Sequence, residues 1–389
     1  MKRAVTKDIV EWYQCADDRV LLIYGGWYVG KTRCVIDFCQ DEGIKYTYIP
    51  MDRLEDCTGR MEPDSEIMVI DNIEGEKQLR DAYSMVLKLR CEQCLPAYRI
   101  ILIYSGVKVP YSMIDEAFIQ LVKVQPLSYD EFKKAMSDSY LAGMYTTLSS
   151  MDVLKLYLVV GGMPECVELL IRKEELSAIR HRQLDIIKRI WERVGAKRKI
   201  DGAKSHKLLD SIAYQSMEDG AGFSLSRLHK NARAREYAHI IDELQRCGII
   251  YRTGRYDIEQ SSHWQAYKLH IVDVGLAGAL AGIHEDAILH DEHIQQWRRG
   301  YHLWRLVASE LVLAGYMDVW DICYWHKQRA KARLPIVMVE KISKEVVVIN
   351  LPMSKTYSYS RSIDAFIEEC PHAKVKNLSI QNIIDGIFA

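Results

Sequence analysis

The sequence predicts an α/β fold built on a parallel sheet, and residues 20–106 carry the observations that predict it. An apolar, β-rich run (20–24) leads straight into Gly25-Gly26-Trp27-Tyr28-Val29-Gly30-Lys31-Thr32, and an amphipathic segment follows. A second buried-strand pattern, Glu66 to Asp71, ends on an acid, and a third, 98–105, ends at Ser105-Gly106. Short apolar runs alternating with helical periodicity are the signature of parallel strands covered on both faces.

The pattern G-x-x-x-x-G-K-[ST], set between a strand and a helix, is that of a phosphate-binding loop. Gly25 and Gly30 let the backbone turn so that its N–H groups point inward at an anion. The helix starting near Lys31 adds its positive end to the same place. Gly25, Gly26, Trp27, Tyr28, Val29, Gly30, Lys31 and Thr32 are therefore the expected nucleotide-binding residues. Lys31 is the cation for the β- and γ-phosphates, and Thr32 is a Mg²⁺ ligand. Asp71, at the carboxyl end of a buried strand, is the expected second Mg²⁺-associated group, although an acid there can also cap the next helix. Ser105 lies where ATPases of this class place a polar residue that senses the γ-phosphate. A strand turning at glycine would look the same.

The other elements follow in order. Residues 1–15 read as an amphipathic helix with Ile9, Val10, Trp12 and Tyr13 on its apolar face, and 45–50 as the next strand. Residues 76–90 are helical and 121–124 a last strand; Ser128 then caps a helix with Glu131 as its capping-box partner. Residues 151–199 are helical with a break at Gly161-Gly162-Met163-Pro164. Arginine and lysine dominate this region (Arg180, Arg182, Lys188, Arg189, Arg193, Lys197, Arg198, Lys199), as either a solvated helix face or a patch for phosphate.

Residues 203–256 read as helices at 204–217, 224–231 and 236–247, followed by a short β-wing at 248–252 and 254–256. Three helices and a wing form a winged-helix pattern. Arg227, His229, Lys230, Arg233 and Arg235 cluster where DNA phosphate contacts would lie, while Asp242 and Glu243 would repel a duplex. Packing is the favoured role. Further on, 268–273 is strand-like, 300–315 helical, and 319–325, 336–339 and 345–351 are strands.

Composition limits the classes available. The 389 residues are 49% hydrophobic and 27% charged with a net charge of −1, which suits a soluble multidomain protein with no global field for nucleic acid or membrane. The N-terminus has no signal-like apolar core and no stretch is long enough to span a bilayer, so cytoplasm is the expected compartment. The ten cysteines are scattered through helices and strands, as expected of reduced thiols. Cys91 and Cys94 form a lone C-x-x-C, with no second pair to complete a zinc site.

The phosphate loop, the strands ending at Asp71 and Ser105-Gly106, PLSYDEF (126–132), GGMPE (161–165) and VDVGL (272–276) occur here in one order. In this the chain resembles the bacterial and archaeal family of AAA-type ATP-binding proteins with a C-terminal domain of unknown function. The resemblance implies a P-loop ATPase domain with a helical extension over 1–200, a winged helix over 201–260, and a PD-(D/E)XK nuclease-like α/β domain over 261–389. It also implies ATP and Mg²⁺ as ligands.

Departures from the family pattern alter the expected chemistry. Asp71-Asn72 replaces the family's Asp-Glu, and asparagine cannot accept a proton from an attacking water. Trp27-Tyr28 replaces Arg-Gln, and Ala117-Phe118 stands where Gly-Arg is usual. Leu303-Trp304-Arg305, 333–336 and Ile349-Asn350-Leu351 lack the acids of a nuclease centre, and Lys327, Arg329, Lys331 and Arg333 make that neighbourhood basic; Glu340 and Glu345 are the only relocated ligands to consider. The expectation is an ATP- or ADP-binding protein with slow or absent hydrolysis, in which nucleotide is a conformational ligand and Asp71, Asn72 and Ser105 flank the reacting phosphate. The alternative is a nucleic-acid-binding regulator acting through Arg227, Lys230, Arg233 and Arg235. A homo-oligomer is compatible with either.

Overall fold

The computed structural model describes the chain apart from residues 1–2, 16–17, 61–63, 92–97, 111–114, 116, 140–142, 144–146, 199–201, 218–221, 258–265, 291–300, 328–330, 352–358 and 387–389. Cys94, and with it the Cys91–Cys94 pair, lies outside the described residues, as do Lys199 and Arg329. Packing divides the chain into two units, 1–125 with 244–249, and 126–243 with 250–389.

In the first unit, α1 (Thr6–Gln14) precedes β1 (Val20–Gly25), α2 (Lys31–Glu42), β2 (Tyr46–Pro50), β3 (Ile67–Ile73), α3 (Gly75–Cys91), β4 (Arg99–Ser105) and β5 (Ile119–Val124). The strands form a wholly parallel sheet in the order β2-β3-β4-β1-β5. Alternation explains why the inner strands β1, β3 and β4 are apolar over most of their length. Leu21, Ile23, Val69, Ile101 and Ile103 pack with Ile9, Trp12, Val35 and Phe38 of α1 and α2. Their neighbours Val20, Leu22, Met68, Ile70 and Leu102 pack with Leu79, Ala82 and Val86 of α3. Successive side chains face opposite sides of a strand, and here each side has its own helices.

In the second unit, α4 (Tyr129–Ser137), α5 (Ser150–Val160), α6 (Pro164–Ile171), α7 (Leu176–Arg198) and α8 (Gly202–Ser216) precede α9 (Ala234–Arg246), whose last turn belongs to the first unit. The Ser128 hydroxyl accepts from the Glu131 N–H at 3.2 Å, as a cap should. Then come β6 (Ile250–Arg255), β7 (Tyr267–Ile271), α10 (Val274–Leu280), α11 (Asp286–Leu289), α12 (Tyr301–Leu313), α13 (Tyr316–Val319), β8 (Trp320–His326), β9 (Arg333–Glu340), β10 (Val346–Asn350), α14 (Ser360–Glu369), β11 (Lys374–Asn377) and α15 (Ile380–Asp385). These strands form a mixed sheet, β11-β10-β9-β8-β6-β7.

Two expectations need correction here. Residues 224–231 form only a single 3₁₀ turn, Leu225–Arg227, because the segment has no buried residue in that turn to hold a helix against. The expected wing at 248–252 and 254–256 is instead one continuous strand. β6 pairs antiparallel with β7, placing Gly254 opposite Tyr267, and also pairs in parallel with β8. Gly254 sits inside the strand, held by its pairing, and makes no turn.

Candidate functional site

The phosphate loop leaves β1 and enters α2 at the carboxyl end of the parallel sheet, where ligands bind in folds of this kind. Gly25 lies so close to β5 that a Cβ on it would sit 1.9 Å from the Val124 carbonyl oxygen. Tyr28 is left-handed (φ 61°), and Gly30 (φ 87°) is the residue before the helix. Tyrosine in that region is unfavourable by about 1 kcal/mol, so the loop is held in shape by its surroundings. Lys31 is buried and its Nζ donates to the carbonyls of Gly25 (3.1 Å) and Gly26 (2.5 Å). The ammonium thus bridges the start of the loop, and its charge is fixed at the helix N-terminus.

Beside it, the Thr32 hydroxyl donates to Asp71 Oδ2 at 2.6 Å. Asp71 is buried and carries two further hydrogen bonds: Tyr48 Oη donates to Oδ2 at 2.8 Å and the Asn72 N–H to Oδ1 at 2.5 Å. Burial, and then the bond to Asp71, push the Tyr48 phenol well above its ordinary range. Asn72 is exposed and left-handed (φ 63°), at a register shift between β3 and β4. Asparagine tolerates that conformation far better than glutamate. Ser105, buried at the end of β4, precedes Gly106, which bridges to Gly25. Val29 is buried, and Phe118 is exposed just before β5.

Several residues that frame the loop escaped the sequence reading. The Arg3 guanidinium donates to the Val29 (3.1 Å) and Gln125 (2.7 Å) carbonyls. The buried Trp27 gives its backbone N–H to the Cys247 carbonyl at 2.9 Å, so that donor is directed at the chain itself. A Cβ on Gly26 would lie 2.8 Å from the same carbonyl, which explains a second glycine that the motif does not require. Arg246 donates to the Ser105 carbonyl and accepts from the Val107 N–H at 3.0 Å. Tyr48 had a signal, an aromatic near the carboxyl end of a neighbouring strand. Arg246 and Cys247 had none.

The donor set fits a Mg-nucleotide: backbone N–H groups at a helix start, a lysine, and a hydroxyl beside a buried carboxylate. Among the described residues no cluster of three His, Cys, Asp or Glu side chains could hold a metal alone. A Mg²⁺ ion that shares phosphate oxygens and waters needs no such cluster.

The charged residues of the second unit are arranged differently. Arg305 is buried and donates to the Asp273 carbonyl at 3.0 Å. The Asp273 carboxylate accepts from Gly162 N–H (2.7 Å) and Leu276 N–H (2.8 Å), so GGMPE and VDVGL meet in one hydrogen-bonded knot. Glu310 accepts from Tyr129 N–H (3.1 Å) and lies 3.0 Å from Tyr157 Oη; its burial raises its pKa to about 7. Of the relocated candidates, Glu340 accepts from the N–H groups of Ile342 and Ser343, and Glu345 pairs with Lys374 at 2.7 Å.

Much of the basic run is matched by acids of the same unit. Arg182 and Arg189 share Glu165 at 3.0 and 2.8 Å, Arg180 faces Glu285, and Lys197 pairs with buried Glu243 at 2.9 Å. Arg227, Lys230, Arg233 and Arg235 are exposed. Among the described residues no helix is long and apolar enough to cross a membrane.

A family model described as a domain of unknown function (DUF8612) matches residues 151–287. Among curated proteins none matches the chain. Of solved structures, the Walker-type ATPase PABY2304 of Pyrococcus abyssi is similar at 15% identity and a TM-score of 0.44, with 72% of this chain and 95% of that one covered. The RuvB Holliday junction branch migration motor of Thermotoga maritima is similar at 12% identity and a TM-score of 0.33, covering 64% and 87%. At these values neither likeness carries a functional conclusion, which falls to the geometry of the loop.

Proposed function

We propose that the chain is an ATP-binding protein with slow or absent hydrolysis, in which the nucleotide acts as a conformational ligand. The observation that carries this reading is the shaped loop, with Lys31 drawn over the Gly25 and Gly26 carbonyls and Thr32 bound to Asp71. In this reading the backbone from Tyr28 to Thr32 cradles the phosphates, Lys31 neutralises them, and Gly25, Gly26, Trp27 and Val29 hold the loop's shape. Thr32 and Asp71 serve the accompanying ion, which would neutralise phosphate charge. Ser105 faces the terminal phosphate.

Asn72 supports weak turnover. It has no basic group to take a proton from water, and its left-handed backbone suits asparagine rather than a displaced glutamate. An AAA-type assignment, a winged helix in 201–260 and a nuclease-like fold without chemistry in 261–389 complete the proposal, with a cytoplasmic setting. Buried Arg305, in the helix where the family pattern has an acid, agrees with that last part. The exposed Lys230, Arg233 and Arg235 favour a second reading, DNA binding.

Calorimetric titration with ATP and ADP tests the first reading. Binding should be tight for both and about 100-fold weaker in Lys31→Ala, the loss expected when a desolvated charge partner is removed. Wild-type protein that takes up neither nucleotide would overturn it. Titration with duplex DNA at low salt tests the second, through a steep loss of affinity as salt rises.

A further inference from the structure

Three donors from three segments converge on Asp71, and only two belong to the phosphate-loop pattern or to Asp71's own strand. The third is Tyr48, from the edge strand β2. Its position follows from register. Tyr48 is opposite Val69 and Pro50 is opposite Asp71, so Asp71 lies two residues farther along on the same face. Two residues of parallel strand span about 6.6 Å, which a phenol side chain can bridge and an aliphatic one cannot. Tyr48 is 39% exposed, so burial of apolar surface is a weak reason for its place there.

A carboxylate has a broad sp³–sp² terminal torsion, and Thr32 and the Asn72 N–H each hold one oxygen of Asp71. With Oδ2 bound by both hydroxyls and Oδ1 by the Asn72 N–H, its plane is set. We propose that Tyr48 is a positioning residue for the cation side of the nucleotide site, orienting the Asp71 carboxylate beside Thr32 so that the pair can serve a divalent ion. The inference rests on the proposed reading that this loop binds Mg-nucleotide.

The experiment is a set of ADP titrations, each run with excess Mg²⁺ and again with chelator, on wild type, Tyr48→Phe and Tyr46→Phe. The ratio of the two affinities isolates the cation's share. In Tyr48→Phe that ratio should fall about tenfold, the value of one hydrogen bond to a charged group, while the chelator affinity stays within about twofold. Tyr46→Phe, on the same strand, should leave the ratio unchanged. Equal loss with and without Mg²⁺ would mean that Tyr48 supports only the fold, and no loss in either would mean that it does nothing; either overturns the proposal. Wild type that binds ADP without any gain from Mg²⁺ overturns this inference alone. Wild type that binds no ADP at all overturns the nucleotide reading as well.

Discussion

Two groups of buried charge can be compared, one at the end of the parallel sheet and one around α12. At the sheet, Lys31 and Thr32 at the start of α2 are gathered beside Asp71 of β3. Around α12, Arg305 and Asp273 bond backbone groups of their own unit, and Glu310 bonds the Tyr129 N–H and the Tyr157 hydroxyl. Both groups are buried and hydrogen-bonded. What differs is the partner of the buried carboxylate: Asp71 takes two side-chain hydroxyls, from Thr32 and Tyr48, whereas Asp273 takes the peptide N–H groups of Gly162 and Leu276. Burial of charge alone would have marked both as sites. On the proposed reading, that choice of partners separates a nucleotide site from a structural clasp.

The comparison breaks first at Lys31. Lys31→Ala should remove nucleotide affinity by about two orders of magnitude while leaving the unliganded protein folded, as circular dichroism would check. If the variant is unfolded instead, the lysine is a clasp like Arg305.

Glu310→Gln sharpens the other side. Its pKa is raised to about 7 by burial, so the native state favours the protonated form. Stability from this group is present at low pH and is lost as pH rises from the ordinary carboxyl range through about 7. Glutamine keeps the acceptor for Tyr129 without the charge. Denaturant unfolding should find the variant close to wild type at pH 5 and more stable at pH 8, by roughly 3 kcal/mol at most. A structural clasp requires this, whereas a functional acid would show it only together with lost binding.

Asn72 gives the smallest effect. Asn72→Glu places an acid in a left-handed position and should cost about 1 kcal/mol without raising turnover; Asn72→Gly should be nearly neutral in stability. A glutamate tolerated at no cost, with faster hydrolysis, would show that the backbone there was no obstacle.

These residues also mark what the sequence can and cannot reveal. The loop, the parallel strands and Asp71 were legible because each is a local pattern: a glycine spacing, an apolar run, an acid at a strand end. Tyr48 depended on the register between β2 and β3, which local pattern does not specify. Cys247 meets the loop, and Arg246 the end of β4, from far along the chain, and only the spare glycine at 26 hinted at a close neighbour. The strand at 250–255 was broken in the reading because Gly254 looked like punctuation, whereas pairing with both β7 and β8 carries the strand through it. Residues 224–231 were read as helix on propensity, without an apolar face to hold one. Arg305 was noticed for the acid it replaces, and its bond to the Asp273 carbonyl emerged only in the fold.

The central claim is that this phosphate loop binds ATP without using it quickly. The direct test is one preparation divided between an ATP titration and a turnover assay, each with and without duplex DNA and each repeated with Lys31→Ala. The account predicts nanomolar-to-micromolar binding that Lys31→Ala removes, with turnover far below the ~10 s⁻¹ typical of enzymes. Brisk hydrolysis that Lys31→Ala abolishes would contradict it.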